Sequence, residues 1–401
     1  MAGTKYWVWL SECKGLPAWA KLRLLEHFGT PENIFYADGE DYLHVEGITP
    51  KLAGSLADKS TAEADRILGE CERLGLRILT MQDADYPVRL RNIYEPPCLL
   101  YVRGRLGVID EEAAIAMVGT RGATPYGIET AETLAYAMAK QGALIVSGAA
   151  SGIDSAAHRG ALRAGERTVA VLGGGVDVVF PRENARLYQD IAACGALVSE
   201  YPPGTSALGA HFPVRNRIIS GLCLATVVVE APERSGALIT ARTALEQGRG
   251  VFAVPGAINA PASRGCNRLI ADGAAALVCD SRDVLWEYEA QYPHKLRCER
   301  VELPKTLGYQ ARQEAAAARA AEQTEKLPAL DLRGEHPELT DDQLRILRRL
   351  REGEMQVDDL IEAVELPTRR VLSALTVLEI EGYVAQSGGK RFSLNVELVE
   401  E

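Results

Sequence analysis

The sequence predicts an α/β protein built on a doubly wound, mostly parallel sheet, with a small helical domain ahead of it and a winged-helix domain behind it. Three observations carry this reading. Between Ala113 and Val278, short and nearly all-apolar runs alternate with amphipathic stretches of helical period. The strand ends open into glycine-rich loops. The last third of the chain turns first to an alanine-rich charged stretch, then to three helical patterns and a hairpin. At 401 residues and 47% hydrophobic content, there is room for roughly two to four domains with real cores.

The elements follow in order. "AIAMV" precedes a helix from about Gly127, "ALIVS" one from about Ile153, and "TVAVL" one from about Glu183. Then come "ALVSE", a helix from about Val214, "LATVVVE", a helix from about Gly236, "GVFAVPG" and a short helix near Asn267. Strands apolar on both faces, separated by helices, form βαβ units and a parallel sheet covered on both sides. This predicts a Rossmann-like core with its ligand crevice beyond the carboxyl ends of the strands. Upstream, residues 11–68 read as short helices with turn signals, giving a helical domain over 1–75. Within it, "LHVEGITPKLAGSLA" (43–57) fits a helix-hairpin-helix and a SAM-like element equally well. Residues 76–107 hold two strand-like pieces around a proline-rich turn, which dock on the sheet and extend the core to 76–290. Residues 291–337 read as a linker, because "YQARQEAAAARAAEQTEKLP" lacks an apolar stripe. In 338–401, three helices precede "VAQSGGKRFSL", a hairpin tipped by Gly388 and Gly389, which is winged-helix order.

Composition excludes several classes. The eight cysteines are scattered singly, without C-x-x-C pairs or histidines at zinc spacing, so reduced thiols, no metal and no cofactor are expected. No secretory h-region or stretch of about 18 apolar residues occurs, so a soluble cytoplasmic protein away from membranes is expected. The net charge of -11 opposes a uniformly basic nucleic-acid binder but leaves room for a local stripe. From Ala113 to Asp280 there are 14 basic residues against 13 acidic ones, and 13 of the basic residues are arginine. Arginine grips phosphate in a planar fork and stacks on bases, where lysine is a mobile point charge.

The strand-end loops carry the candidate site. Gly119, Thr120 and Arg121 lie in the first, Ser147, Gly148 and Ala149 in the second, Gly174, Arg182 and Asn184 in the third, and Ser235 and Gly236 in the fourth. Glycine allows close backbone approach and leaves helix N-terminal amides free to meet an anion, phosphate above all. "HFPVRNRIIS" (211–220) adds Arg215, Asn216 and Arg217 in the first turn of a helix, offering forked donors, an amide and free N–H groups. Phe212 either stacks on a base or plugs the loop from beneath. Any of these arginines could instead pair with Glu200, Glu230 or Asp177. His158 follows Asp154 by four residues, a spacing that suits a structural pair better than an acid–base dyad. Walker, dinucleotide-binding, nucleophile-elbow and H-E-x-x-H motifs are all missing. The competing enzyme reading, a nucleotide N-glycosidase or phosphoribohydrolase, wants a "PGGxGTxxE" stretch, and "ERSGALITARTALE" lacks its glycine pair.

At these loops the chain resembles the DNA processing protein A (DprA/Smf) family. The resemblance rests on "VGTR" (118–121), "SGAASGIDSAAH" (147–158), "AVLGGGVDVVFPREN" (170–184), "SEYPPGT" (199–205), "FPVRNRIISGL" (212–222), "VVEAPERSGALITARTALEQGR" (228–249) and "AVPG" (253–256). It is dense over roughly 80–280 and looser at both ends. The resemblance implies a non-enzymatic protein that binds and protects incoming single-stranded DNA, helps load the RecA recombinase during natural transformation, and forms a homodimer. It places Arg121, Arg182 and the "FPVRNR" residues along the strand. Ser151 stands where family members often carry a basic residue. The tail departs too: 338–401 has 8 basic residues against 14 acidic ones, so weak or no duplex binding and a protein-contact role are expected.

Overall fold

The computed structural model describes residues 2–304, 329–331, 339–387 and 391–399. The chain forms two compact units, Met1–Arg312 and Gln313–Glu401.

The first unit centres on a nine-stranded sheet: β1 (Arg77–Thr80), β2 (Leu99–Gly104), β3 (Ala114–Val118), β4 (Leu144–Ser147), β5 (Thr168–Val171), β6 (Ala196–Ser199), β7 (Ala225–Val228), β8 (Gly250–Ala253) and β9 (Ala276–Leu277). Their spatial order is β1-β2-β6-β5-β4-β3-β7-β8-β9. From β6 across to β9 every pairing is parallel, and β2 is antiparallel to both β1 and β6. Six of the seven parallel strands are those expected from the apolar runs, and β9 is added at the far edge. The docking of the 76–107 pieces, which flank the short helix α6 (Val88–Arg91), is also as expected, through β2 onto β6 in the register Tyr101 opposite Ser199.

Burial on both faces explains the composition. In β3, Ala114, Ala116 and Val118 enter one core while Ile115 and Met117 enter another, because successive side chains point to opposite faces. Helices α7 (Pro125–Lys140), α8 (Ile153–Arg163) and α13 (Ser281–Glu289) cover the Ile115 face. Helices α10 (His211–Gly221), α11 (Gly236–Glu246) and α12 (Arg264–Ala271) cover the other. The helical segment at the N-terminus, α1 (Ala2–Glu12), α2 (Ala18–Phe28), α3 (Pro31–Tyr36), α4 (Pro50–Gly54) and α5 (Ala62–Leu74), shares a core with α9 (Ala185–Cys194) and the β2–β6–β5 end of the sheet. Trp7, Val8 and Leu24 pack there with Tyr101, Leu197 and Ala170.

Two boundaries differ from expectation. The first helix starts at Ala2 rather than near residue 11, because Tyr6 to Leu10 form a continuous buried apolar run. Helix α10 starts at His211 rather than Val214. Pro213 falls in its first turn, where the missing N–H would have had no partner anyway.

In the second unit, helices Asp341–Leu350, Val357–Val364 and Thr368–Ile380 precede the antiparallel strands Val384–Ser387 and Arg391–Leu394, completing the winged-helix order. Thr340 and Gln343 close a reciprocal capping box on the first helix. The expected glycine tip and most of the expected linker lie outside the described residues.

Candidate nucleic-acid interface

The chain runs β3, β4, β5, β6 in one direction and then returns to place β7 on the other side of β3. At such a switch point successive loops diverge to opposite faces and leave an opening beyond the strand ends. A crevice of about 420 Å³ lies there. The loop after β3 (Gly119 to Gly122), the first turns of α10 (Phe212, Arg215, Asn216), the α11 N-terminus (Ser235 to Ala237), Arg234 and Asp154 all line it.

Its floor is built from buried polar groups. Arg215 is 3% exposed; its Nη1 donates to the carbonyl of Gly148 at 2.8 Å and to that of Val171, and its Nε donates to Asn216 Oδ1 at 3.1 Å. A Cβ at Gly148 would collide with this guanidinium, so glycine is needed for close approach. Burial pushes the Asp154 carboxyl up, and Arg215 pulls it back down. Asp154 Oδ2 also accepts the Gly148 N–H at 3.2 Å. Asn184 donates from Nδ2 to the Ala149 carbonyl at 3.0 Å and to Ser155 Oγ at 2.8 Å. Ser147 Oγ donates to the Met117 carbonyl at 2.6 Å. Beneath this layer His158 is fully buried with Nδ1 2.8 Å from Thr168 Oγ1, and burial, then Arg215, lowers it to about 3. His158 and Asp154 therefore hold separate partners, so neither the structural pair expected from their spacing nor a dyad forms.

The rim differs. Arg121 is exposed and its guanidinium lies 4.4 Å from the Phe212 ring centroid. That ring also packs 5.6 Å from Phe180, which is 44% exposed. Arg234 lines the crevice and is exposed, while Arg182, in the loop after β5, is exposed but stands outside the crevice lining. None of these three arginines forms an ion pair among the described residues. Ser235 caps α11 by accepting the Ala237 N–H at 3.3 Å, and Gly236 is exposed at the first helical position. Thr120 is half-buried, its N–H bound to the Glu230 carbonyl at 2.7 Å. At Gly119 a Cβ would stand 2.8 Å from that same carbonyl.

Several expectations are corrected. Ser147, Gly148, Ala149, Gly174 and Asn184 are buried and hold the loops together, so the second and third loops support the crevice instead of presenting those residues to it. Gly174 is packed where a Cβ would come within 2.8 Å of the Thr205 carbonyl. Arg215 to Arg217 sit in the second turn of α10, where backbone N–H groups already serve the helix ladder. Arg217 turns away from the crevice: Nη2 meets Glu200 Oε1 at 2.6 Å and Nε donates to the Glu95 carbonyl at 2.9 Å. Glu230 instead accepts from Thr124, through N–H at 2.8 Å and Oγ1 at 2.6 Å. Phe212 is half-buried between Arg121 and Phe180, so it packs and also keeps exposed ring surface. Arg234 and Phe180 lie inside the quoted stretches 228–249 and 170–184 but were not assigned to the site from the sequence.

Among the described residues no helix is long and apolar enough to cross a membrane, and no three or more His, Cys, Asp or Glu side chains are grouped to hold a metal.

The family model of DNA recombination-mediator protein A matches residues 77–307, and that of the DprA winged helix domain matches 332–390. Protein Smf of Synechocystis is 34% identical over 401 residues, 96% of this chain and 98% of that one. DNA processing protein DprA of Streptococcus pneumoniae is 45% identical over 207 residues, 52% of this chain and 72% of that one. The X-ray structure of the S. pneumoniae protein superposes with a TM-score of 0.63 at 36% identity, covering 71% of this chain and 97% of that chain.

Proposed function

The chain belongs to the DNA recombination-mediator protein A family, and from that premise we propose that it binds single-stranded DNA along the rim of the β3/β7 crevice. One observation carries the reading: Arg121, Arg182 and Arg234 are exposed at the carboxyl edge of the sheet without ion-pair partners among the described residues. Unpaired guanidiniums beside a partly exposed aromatic ring supply the two elements of sequence-tolerant strand binding, backbone charge and base stacking. Gly119, Thr120, Phe212, Asn216, Ser235 and Gly236 form the contact surface with them. Ser147, Gly148, Ala149, Gly174, Asn184 and Arg215 hold its shape, and Arg217 acts through Glu200.

The finer proposals rest on the family resemblance: a cytoplasmic homodimer, active in natural transformation and recombination, that protects incoming strands and hands them to RecA without catalysing a reaction. The acidic winged helix suits a protein contact better than a duplex. Its Arg370 is already held by Asp342 through two bonds of 2.7 Å.

Fluorescence anisotropy with oligo-dT at several salt concentrations tests the core proposal. Replacing Arg121, Arg182 and Arg234 together by alanine is expected to flatten the log–log salt slope by roughly two to three. Unaltered affinity and slope would overturn it.

A further inference from the structure

Tyr201 follows the end of β6, and His211 opens α10. Their rings lie parallel, with centroids 4.1 Å apart and planes inclined by 16°. Every other ring pair among the described residues is tilted or edge-on. Ring quadrupoles favour offset or edge-to-face packing over direct overlap. A parallel pair that retains exposed surface is the one arrangement among these whose stack a third flat ring can extend. Both residues are half-buried, so surface remains.

Three further features point to the same use. His211 Nδ1 lies 3.0 Å from the Gly173 carbonyl. A carbonyl only accepts, so this nitrogen carries the proton and the ring is anchored to the loop after β5. The pair is also continuous with the crevice: His211 directly precedes Phe212, whose ring meets Phe180 and Arg121. Finally, Glu200 adjoins Tyr201, and its carboxylate would repel a phosphate chain. Arg217 neutralises it at 2.6 Å, which gives a purpose to an arginine that does not line the crevice.

We propose that Tyr201 and His211 form a second stacking platform, which receives a base of a single strand leaving the crevice toward β6. This rests on the crevice being a single-strand site. Strand β6 lies four places from β7, roughly 19 Å at ~4.8 Å per strand. A strand spanning that edge covers several nucleotides, within the usual site size of about 4–16.

The test uses the full chain with dT oligonucleotides of about 4 and about 12 nucleotides. Tyr201→Ala is expected to weaken the longer oligonucleotide roughly tenfold, leave the shorter one unchanged and keep the salt slope, since no phosphate contact is lost. Tyr201→Phe retains the ring and is expected to bind as wild type. A 2-aminopurine placed along the longer oligonucleotide should be quenched at one position in wild type and brighten there in Tyr201→Ala. The platform is overturned if Tyr201→Ala binds both lengths normally, weakens both equally, or is matched in its loss by Tyr201→Phe. Arg121→Ala separates the two ideas: it should weaken both lengths, and if it does while Tyr201→Ala changes neither, only the platform fails. Wild type that binds neither length removes the single-strand reading and the platform together.

Discussion

Arg121 and Arg215 bring the same guanidinium group to the same crevice, with the Phe212 ring 4.4 Å from one and 5.8 Å from the other. Arg121 is exposed, without an ion-pair partner among the described residues. Arg215 is buried, and its donors already serve Gly148, Val171 and Asn216. A motif written in one residue type thus divides into a rim that can exchange water for phosphate and a floor that cannot. The free energy of a charged contact depends on what the group gives up to make it, and Arg215 would have to abandon buried carbonyls.

The sharpest way to break this contrast is Arg215→Met. It leaves buried Asp154 without its cation and two carbonyls without donors, and is expected to destabilise the fold by about 3–5 kcal/mol in urea titration. Lysine should not rescue it, because a point charge cannot replace the fork. Wild-type stability in Arg215→Met would erase the distinction between floor and rim.

Next in size is a dependence on pH. His158 is held at about 3 by burial, well below its unfolded value of roughly 6.5. Its stabilising contribution is full above ~6.5 and is lost as pH falls toward ~3, at no more than about 1.4 kcal/mol per pH unit. Asp154, raised by burial, works in the opposite sense: its contribution is present at low pH and lost as pH rises. Comparing wild type with His158→Gln between pH 7 and 5 isolates the histidine, and the variant should show the flatter profile. Equal profiles would remove His158 from the floor.

At the rim, Arg121→Ala should weaken single-strand binding roughly tenfold and reduce the salt slope by about one, while stability stays within ~0.5 kcal/mol of wild type. Arg182→Ala and Arg234→Ala, which lack the aromatic contact, should each cost about two- to fivefold, again mainly through the salt term. A larger loss of stability than of affinity in any of the three would move it from rim to floor. The smallest effect belongs to the second unit. Arg370→Ala removes an exposed pair with Asp342 and should cost less than about 1 kcal/mol, with single-strand affinity unchanged.

Much of the rim and little of the floor was legible in the sequence. All-apolar runs such as "AIAMV" announce strands buried on both faces, and strand order then places the crevice, so Arg121 and Arg182 could be found by position. Burial of Arg215 could not, because its partners Gly148 and Val171 are distant in sequence and only folding joins them. Pairing of Arg217 with Glu200 was one of three alternatives the sequence left open, and only the fold singles it out from Glu230 and Asp177. Pro213 misled in a different way: proline reads as a boundary, yet it is tolerated within a first turn, so α10 was expected three residues late. Arg234 lies in the same stretch as Ser235 and Gly236, and residue type alone does not separate an unpaired arginine from a paired one.

One edge of the sheet has a further bearing on the whole. Through β2, antiparallel beside β6, the amino-terminal helices and the α/β layer own a single oily interior, with Trp7 and Leu24 on one side and Tyr101 and Leu197 on the other. Scissors applied between residues 75 and 76 would strip that interior open, and the fragment released should clump rather than survive as a smaller binder. In this molecule the amino-terminal segment behaves less like an appendage than like the lid of a sealed vessel.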